Sequence, residues 1–404
     1  MRNARLNTLP GNSFLQLAAL LDGLAPGGPG APISLALGEP QHPVPALAEA
    51  AARHNLALYG KYPPAAGTPD WRAAVAGWIA RRYGAAGTLI DPERHILPVS
   101  GTREALYLIA QLCTPRRQAG DQPLVLIPNP FYQCYAAATA AAGAQPVYCP
   151  ATAQNGFLPD FIGRPEAELA RVSLVYCCSP ANPQGVVASR DYLCALIRTA
   201  RAHDFIVAFD ECYSEIYDHA PPVGALEACA ALADEDGDRD GALRNVVVFN
   251  SLSKRSSVPG LRSGFVAGDG DVLAAFHRLR SLGGAVPSLH NLSVAGALWD
   301  DEDHVARSRA LYRQKLDIAQ EILGDAFGFY RPAGGFFLWL EVGDGEAAAR
   351  ALWREAGVKI LPGRYLACDD EMGHNPAAGF IRLALVHDLA ITRDALGRLK
   401  RCLA

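Results

Sequence analysis

The middle of the chain alternates short apolar runs with stretches whose apolar residues recur at helical spacing. HILPVS precedes GTREALYLIAQLC, PLVLIP precedes FYQCYAAATAAAG, and VSLVYCC precedes RDYLCALIRTARAH, while FIVAFDE and VVVFNS complete the series. Continuous apolar runs separated by amphipathic helices indicate a mainly parallel sheet with helices on both faces. The pattern therefore predicts a large α/β domain over residues 42–285.

The remainder of the chain has a different pattern. DHVARSRALYRQKLDIAQEIL places Tyr312 and Leu323 on one face, which predicts a long amphipathic helix. GGFFLWLEV, EAAARALWREAG, FIRLALV and a last helix from about Thr392 follow it. This order is typical of a small α+β domain, and we expect the N-terminal arm, residues 1–41, to join residues 286–404 in it.

Composition and charge exclude several classes of function. The 404 residues carry a net charge of −4, and no cluster of Lys and Arg is interleaved with aromatic residues. We therefore expect no nucleic-acid partner. No run of about 18 apolar residues occurs, so no membrane span is expected. FLQLAALL, near the N-terminus, is short, ends at Asp22 and lacks a cleavage signal, which argues against a signal peptide.

The ten cysteines are scattered along the chain. Cys113, Cys177, Cys178 and Cys212 lie inside apolar runs, as is typical of reduced, buried thiols. No C-x-x-C pair occurs, and the side chains of adjacent Cys177 and Cys178 would point to opposite faces of a strand. We therefore predict a cytoplasmic protein without a metal site.

Polar residues follow four of the apolar runs. Ligands of open parallel sheets bind beyond the carboxyl ends of the strands, so these residues are predicted to converge on one crevice. The four groups are Ser100-Gly101-Thr102, Ser179-Pro180-Ala181-Asn182-Pro183, Asp210-Glu211-Cys212-Tyr213 and Asn250-Ser251-Leu252-Ser253-Lys254.

The first of these groups suits a phosphate. It opens a predicted helix, where the first N–H groups are unpaired and the dipole end is positive. Taken alone, Ser100 and Thr102 would be explained more simply as helix-capping residues. Taken alone, Arg262 would be explained more simply as a surface arginine. The predicted phosphate donors are Ser100, Gly101, Thr102, Ser251, Ser253 and the cationic Arg262.

Asp210 and Lys254 suggest chemistry at the same crevice. Asp210 ends a run that is apolar from Phe205 onward, where burial of a carboxylate is costly unless a cation pairs with it. The alternative explanation is an aspartate that stabilises a turn. Burial and the nearby Arg262 would lower the pKa of Lys254 and leave a neutral amine, which is a nucleophile towards an aldehyde. A solvated loop lysine is the alternative. Tyr213 would reach the same ligand.

These motifs resemble those of the fold-type I pyridoxal 5′-phosphate aminotransferases, in order and over nearly the whole chain. NSLSKRSSVPGLRSG is similar to the family's S-x-S-K with an arginine eight residues on, SPANPQG to N-P-x-G, and DECY to D-E-x-Y. KYPPAAGTPDWRAAVAGW, NPFYQCY and FIRLAL match further segments. The resemblance implies a mainly parallel central sheet sandwiched by helices, a smaller α+β domain, and pyridoxal 5′-phosphate as the cofactor.

The resemblance also implies a role for each matched residue. Lys254 would bind the cofactor aldehyde covalently and then move a proton between the substrate α-carbon and the cofactor. Asp210 would pair with the pyridinium nitrogen, Tyr132 would stack on the ring, and Tyr62 would reach the phosphate of the neighbouring subunit in a homodimer. The other implied contacts are Asn182 and Tyr213 to the phenolic oxygen, Gly101, Thr102, Ser251, Ser253 and Arg262 to the phosphate, and Arg382, Gly38 and Asn182 at the substrate.

Arg382 has an alternative explanation, because arginines on edge strands commonly face solvent. Its position near the end of the small domain matches the family's carboxylate clamp, so we assign it that role.

NSLSKRSSVPGLRSGFVAGD, LALGEPQHPVP and GGFFLWLEV are most similar to bacterial N-succinyl-diaminopimelate aminotransferases of lysine biosynthesis, which implies glutamate as amino donor. A substrate with additional carboxylates needs extra cations, and Arg364 and Arg103 are candidates, with surface arginine as the alternative for each. An aspartate, alanine or aromatic aminotransferase of broad specificity, and a lyase that uses the same cofactor and fold, stay open.

Two other classes of protein bind similar ligands. A cofactor-binding regulator on this fold would add a DNA-binding module, for which about 40 residues before LGEP leave too little room. A nucleotide-binding α/β protein would explain Ser100-Gly101-Thr102. However, neither G-x-x-x-x-G-K-[ST] nor G-x-G-x-x-G occurs, and Lys254 would have no explanation.

Overall fold

The structure is a computed structural model that describes residues 11–115 and 122–404. The strands are β1 (Ile33–Ser34), β2 (Ile96–Val99), β3 (Leu124–Asn129), β4 (Gln145–Pro150), β5 (Val172–Cys178), β6 (Ile206–Asp210), β7 (Val246–Ser251), β8 (Gly264–Gly268), β9 (Phe337–Glu341), β10 (Val358–Lys359), β11 (Leu361–Pro362) and β12 (Phe380–Ala384).

The α-helices are α1 (Ser13–Leu20), α2 (Ala46–His54), α3 (Pro69–Tyr83), α4 (Thr102–Cys113), α5 (Gln133–Ala142), α6 (Glu166–Leu169), α7 (Arg190–His203), α8 (Ala225–Asp236), α9 (Leu252–Arg255), α10 (Gly270–Gly283), α11 (Leu289–Asp300), α12 (Asp303–Leu323), α13 (Gly345–Ala356) and α14 (Leu389–Leu403).

Strands β2 to β8 form a seven-stranded sheet in the order β2-β8-β7-β6-β5-β3-β4. Neighbouring strands are parallel except at β8, which is antiparallel to both β7 and β2. The predicted mainly parallel sheet is confirmed. The sequence pattern did not reveal β4 or β8, because β4 is a half-exposed edge strand and no long helix separates β8 from β7.

Helices cover both faces of this sheet, and each face has its own apolar core. On β7, Val246 and Val248 belong to the core that includes residues of α3, α7, α8 and α11. Val247 and Phe249 belong to the core that includes residues of α4, α5 and α10. A strand buried on both faces needs apolar residues at successive positions, which explains the continuous apolar runs.

The remaining five strands form two smaller sheets that are separate from the seven-stranded sheet. β11, β12 and β9 form an antiparallel sheet in that order, and β1 pairs with β10 in parallel. These strands share an apolar core with α12, α13, α14 and α1, which contributes Leu17 and Leu20. The long predicted helix is confirmed as α12. The division of the chain into residues 42–285 and the remainder stays a prediction.

Three further findings concern residues 11–115 and 122–404. No helix in these ranges is both long enough and apolar enough to cross a membrane. The same residues contain no group of three or more His, Cys, Asp or Glu side chains suited to a metal ion. The ten cysteines are free thiols.

Candidate functional site

The predicted polar groups follow strands that end at one edge of the large sheet. Cys178 at the end of β5 pairs with Asp210 at the end of β6, and Asp210 pairs with Phe249 of β7. β2 ends at the same edge, because it is antiparallel to β8, which is itself antiparallel to β7. The topology therefore brings the four groups together, as predicted.

The start of α4 forms a cradle beneath a guanidinium group. Gly101 has a φ of 78°, and a Cβ built on it would lie 2.0 Å from Arg262 Nη2, so only glycine fits there. Arg262 donates from Nη2 to Ser100 O at 3.2 Å and from Nη1 to Pro259 O at 2.9 Å. A cation thus lies directly over the positive end of a helix, which is an arrangement suited to an anion.

Three of the predicted hydroxyl groups, those of Thr102, Ser251 and Ser253, contact other polar groups that follow the strand ends. Ser251 Oγ is 3.0 Å from Ser253 Oγ and accepts a hydrogen bond from Ser253 N. Thr102 Oγ1 is 3.1 Å from the sulfur of Cys212, which lies between Asp210 and Tyr213 in the sequence. The donor set and the space left by Gly101 fit a phosphate group.

Ser100 differs from the expectation in its side chain. Its hydroxyl donates to Ala285 O at 3.1 Å, and its backbone N–H donates to Glu104 Oε2 at 3.3 Å. Its carbonyl oxygen is the group that contacts Arg262. In this structure Ser100 therefore helps to place the cation, while its hydroxyl is engaged outside the cradle.

Lys254 lies on α9, directly after β7. Its Nζ donates to Gly38 O and lies 5.4 Å from the centre of the Phe336 ring. Burial lowers the pKa of Lys254 to about 8, and the nearby cations Arg382 and Arg262 act in the same direction. The shift has the direction expected from the sequence, and a large fraction of this amine is neutral at mildly alkaline pH.

Asp210 is buried and holds two hydrogen bonds. Its Oδ2 accepts from the Tyr135 hydroxyl at 2.6 Å, and its Oδ1 accepts from Cys212 N at 3.3 Å. Burial raises the pKa of Asp210, whereas both donors favour the charged form. Such a carboxylate is best compensated by a cation placed beside it.

Tyr135 is a site residue that the sequence interpretation missed. It is buried on the first turn of α5, three residues after Tyr132, and its ring stacks on Tyr176 at 4.5 Å. The signal was present in NPFYQCY, whose two tyrosines lie on one side of a helix start. Tyr132 meets Tyr135 edge to face at 5.6 Å, and its hydroxyl accepts a hydrogen bond from Arg103 Nε.

Arg382 lies on β12, the central strand of the small sheet, and the residue is buried, with only 5% of its surface exposed. The alternative of a solvent-facing edge arginine is therefore wrong. Its Nη1 donates to Asn182 Oδ1 at 3.1 Å and its Nη2 to Ala36 O at 2.8 Å, while its Nε is buried without a hydrogen-bond partner. Burial lowers the pKa of Arg382 to about 10.

No acidic side chain among the described residues forms an ion pair with Arg382. A buried guanidinium without a carboxylate partner is costly, and an anionic ligand would supply the missing charge. Gly38 lies nearby in tight packing, since a Cβ there would be 2.7 Å from Cζ of Phe337, whose ring lies 4.4 Å from the guanidinium. Tyr213 is also buried, against Phe336 and Phe337.

Among the described residues, neither Tyr62 nor Arg364 forms a hydrogen bond or ion pair with the other predicted site residues. Tyr62 is 99% exposed. Arg364 forms an ion pair with Asp369 at 3.5 Å. Of the two extra cations considered in the sequence, only Arg103 contacts a predicted site residue, Tyr132.

Comparison with known proteins shows similarity over nearly the whole chain. The model of a family described as "Aminotransferase class I and II" matches residues 31–399. LL-diaminopimelate aminotransferases from Desulforudis audaxviator and Moorella thermoacetica are 33% and 32% identical, and in both cases 92% of this chain and 90% of the relative are covered. These relatives are named for LL-diaminopimelate, so the finer prediction of an N-succinyl substrate is not confirmed.

Solved structures are similar over the same extent. An aminotransferase from Neisseria meningitidis gives a TM-score of 0.92 at 38% identity, with all of both chains covered. The aminotransferase AspB from Helicobacter pylori gives a TM-score of 0.87 at 33% identity, with 98% of this chain and 99% of that chain covered.

Proposed function

Since the chain belongs to the class I and II aminotransferases, which depend on pyridoxal 5′-phosphate, we propose that it moves an amino group between an amino acid of the diaminopimelate class and a 2-oxo acid. The observation that carries this proposal is one site containing an amine of lowered pKa, a buried carboxylate and a buried guanidinium without an acidic partner. When bound, the cofactor supplies an aldehyde and an electron-accepting ring.

Lys254 is proposed as the residue that binds the aldehyde and later carries the substrate α-proton. With a pKa of about 8, a useful fraction of the amine is neutral and nucleophilic near the pH of the cell. The same near-neutral pKa suits a general base, which must both take and return a proton.

The remaining proposed roles are those that the family resemblance implies, and the positions and charges of the residues support them. Asp210, held by Tyr135, would keep a ring nitrogen cationic. Arg262 and the start of α4 would hold the phosphate, with Ser251 and Ser253 as hydroxyl donors. The residues proposed to complete the ring site are Tyr132 on the ring face, and Asn182 and Tyr213 at the phenolic oxygen.

Arg382 is proposed to bind the substrate α-carboxylate, and its replacement gives a direct test. In Arg382→Leu, we expect the KM of every amino-acid substrate to rise by at least about 10²-fold, because two charge-assisted hydrogen bonds of about 1.5–3 kcal/mol each are lost. KM and kcat should be measured for at least two unrelated amino acids. Loss of a contact that binds the substrate and the transition state equally well raises KM more than it lowers kcat.

Two variants serve as controls for this prediction. Arg382→Lys keeps the positive charge but not the planar fork, and should give a smaller rise in KM. Arg398→Leu removes another buried arginine, which pairs with Asp394 at 2.6 Å, and should lower thermal stability without raising KM. Saturation of Arg382→Leu at wild-type substrate concentrations would show that another residue holds the carboxylate.

A homodimer is part of the proposal, and its support is a group of exposed apolar side chains within residues 44–62. Val44, Leu56, Tyr59 and Tyr62 all lie on this stretch of the chain and are at least 59% exposed. A contiguous patch of exposed apolar side chains is characteristic of a surface that another chain covers. A second copy docked there would bring Tyr62 to the partner's site, which is the role that the family resemblance implies.

The substrate class rests on the named relatives and on Arg103, which lies beside Tyr132 and is free to meet a distal carboxylate. The test is a panel of amino donors: LL-diaminopimelate, N-succinyl-LL-diaminopimelate, glutamate, aspartate and alanine. Each is mixed with the purified protein, and conversion of the cofactor to its amine form is followed by absorbance.

We expect kcat/KM for one or both diaminopimelate compounds to exceed that of alanine by about tenfold or more. Arg103→Ala should remove this preference while changing the reaction of alanine little. A higher kcat/KM for aspartate than for either diaminopimelate compound would instead favour an aspartate aminotransferase of broad specificity, the alternative that the sequence leaves open.

A further inference from the structure

Lys315 is a buried lysine that no ion pair explains. It lies on α12, is 1% exposed, and forms no salt bridge with an acidic side chain of the described residues. Its Nζ lies 2.7 Å from His42 Nε2, 3.1 Å from Leu385 O and 4.7 Å from the centre of the Tyr312 ring. Burial lowers the pKa of Lys315 to about 7, although the electrostatic attraction of Asp388 opposes this shift. Because burial of an amine in this way is costly, a role for it should be sought.

His42 is held by three residues of one helix. Besides the contact with Lys315, its Nδ1 lies 3.2 Å from Ser308 Oγ and its ring lies 4.6 Å from that of Tyr312. When Lys315 is charged, its ammonium group only donates, so Nε2 of His42 then accepts and the ring proton is on Nδ1, which donates to Ser308. Burial lowers the pKa of His42 to about 4, which keeps the imidazole neutral and able to accept at neutral pH.

His42 ends a segment, residues 36–42, that supplies hydrogen-bond acceptors to the candidate site. Ala36 O accepts from Arg382 Nη2 at 2.8 Å, and Gly38 O accepts from Lys254 Nζ. Leu35, just before the segment, forms backbone hydrogen bonds with Lys359 O and Ala384 N, so the start of the segment is fixed. At its other end, the one backbone hydrogen bond to a distant part of the described chain runs from Gln41 N to Val386 O, at 3.2 Å. The carbonyl groups of Ala36 and Gly38 lie between these two attachments, so their orientation depends in part on how the end near His42 is held.

A chain of aromatic rings makes a second connection between His42 and Lys254. Tyr312, which His42 contacts, stacks on Phe336 at 5.3 Å with an interplanar angle of 19°. Phe336 in turn lies 5.4 Å from Lys254 Nζ, and a Cβ on Gly38 would be 3.2 Å from this ring. Displacement of His42 would disturb this stack as well as the segment.

We propose that Lys315 and His42 are a pair of positioning residues that hold the end of residues 36–42, so that the carbonyl groups of Ala36 and Gly38 orient Arg382 and Lys254. Neither residue touches the substrate in this proposal. The effect on binding rests on the proposed carboxylate role of Arg382, whereas the effect on the segment does not.

The test compares Lys315→Met and His42→Leu with the wild type in two measurements. We expect the KM of amino-acid substrates to rise about tenfold in each, with a smaller change in kcat, because Arg382 loses a fixed acceptor. Hydrogen–deuterium exchange of the peptide containing residues 36–42 should become faster. The double variant should resemble the single variants, because one interaction cannot be lost twice.

Two matched variants separate positioning from general loss of stability. Lys400→Met removes a lysine that also donates to a carbonyl of α12, Ile322 O at 2.6 Å, and should leave KM and the exchange of residues 36–42 unchanged. His42→Gln keeps an acceptor for Lys315 and should restore most of what His42→Leu loses.

Wild-type exchange and wild-type KM in His42→Leu would overturn the proposal, and this variant decides the matter if Lys315→Met does not fold, because His42 is only half-buried. Faster exchange with an unchanged KM would support the anchor and contradict the role of Arg382 instead. The two proposals therefore fail in distinguishable ways.

Discussion

Lys254→Ala should lose transamination activity by a factor of at least about 10²–10⁴, which is the contribution of a general acid–base residue, and by more where nucleophilic attack is also lost. The chain has five lysines, and among them Lys254 is the one that directly follows β7 and is influenced by the nearby cations Arg382 and Arg262. Single-turnover rates with an amino donor would measure the loss. Borohydride treatment followed by peptide mapping would show which lysine carries the cofactor.

Lys254→Arg is the matched variant, because it keeps a cation and hydrogen-bond donors but offers no neutral amine. We expect it to be as inactive as Lys254→Ala. Both variants should still bind the cofactor reversibly in equilibrium dialysis, since Arg262 and the start of α4 are unchanged. Cofactor trapped on another lysine, or turnover close to that of the wild type, would refute the assignment.

The edge of the sheet where the site lies was predictable because its signals are local. Each of β5, β6 and β7 is a continuous apolar run with a polar residue at its end. In a parallel arrangement such ends meet at one edge, so the convergence of Asn182, Asp210 and Lys254 needed no knowledge of long-range contacts. The same reasoning failed for β8, because an antiparallel neighbour needs no crossover helix to mark it.

Contacts between distant parts of the chain were not predictable in this way. Arg382 and Ala36 are 346 residues apart, and Lys315 and His42 are 273 residues apart. Their pairing depends on how α12 and β12 pack against the N-terminal part of the chain, which no periodicity encodes. The sequence shows that Arg382, Lys315 and His42 are polar, but it does not show that they are buried. Burial is what makes a polar residue informative.

The substrate is a further limit of sequence patterns. Resemblance suggested an N-succinyl substrate, whereas the relatives reported above are named LL-diaminopimelate aminotransferases. The reacting end of every amino acid is the same, so residues such as Lys254 and Arg382 carry no information about the side chain. Only peripheral groups such as Arg103 do, and their contacts are set by loop packing.

Asp210→Ala should lower kcat by about 10²–10³-fold, which is the range for removing one preorganised electrostatic partner from a buried site. The buried carboxylate would keep a ring nitrogen cationic, so its loss should slow proton removal from the substrate α-carbon much more than it weakens cofactor binding. The measurement is the rate of α-proton exchange with deuterated solvent, together with the dissociation constant of the cofactor.

Three variants separate charge from packing in this prediction. Asp210→Asn can still accept from the Tyr135 hydroxyl but carries no charge, and should lose as much activity as Asp210→Ala. Tyr135→Phe keeps the charge and should lose less. Glu211→Gln changes the adjacent buried carboxylate, which accepts from Tyr83 and Ala225 N, and should retain activity. Equal rates of proton exchange in Asp210→Asn and the wild type would mean that hydrogen bonding, and not charge, is what Asp210 contributes.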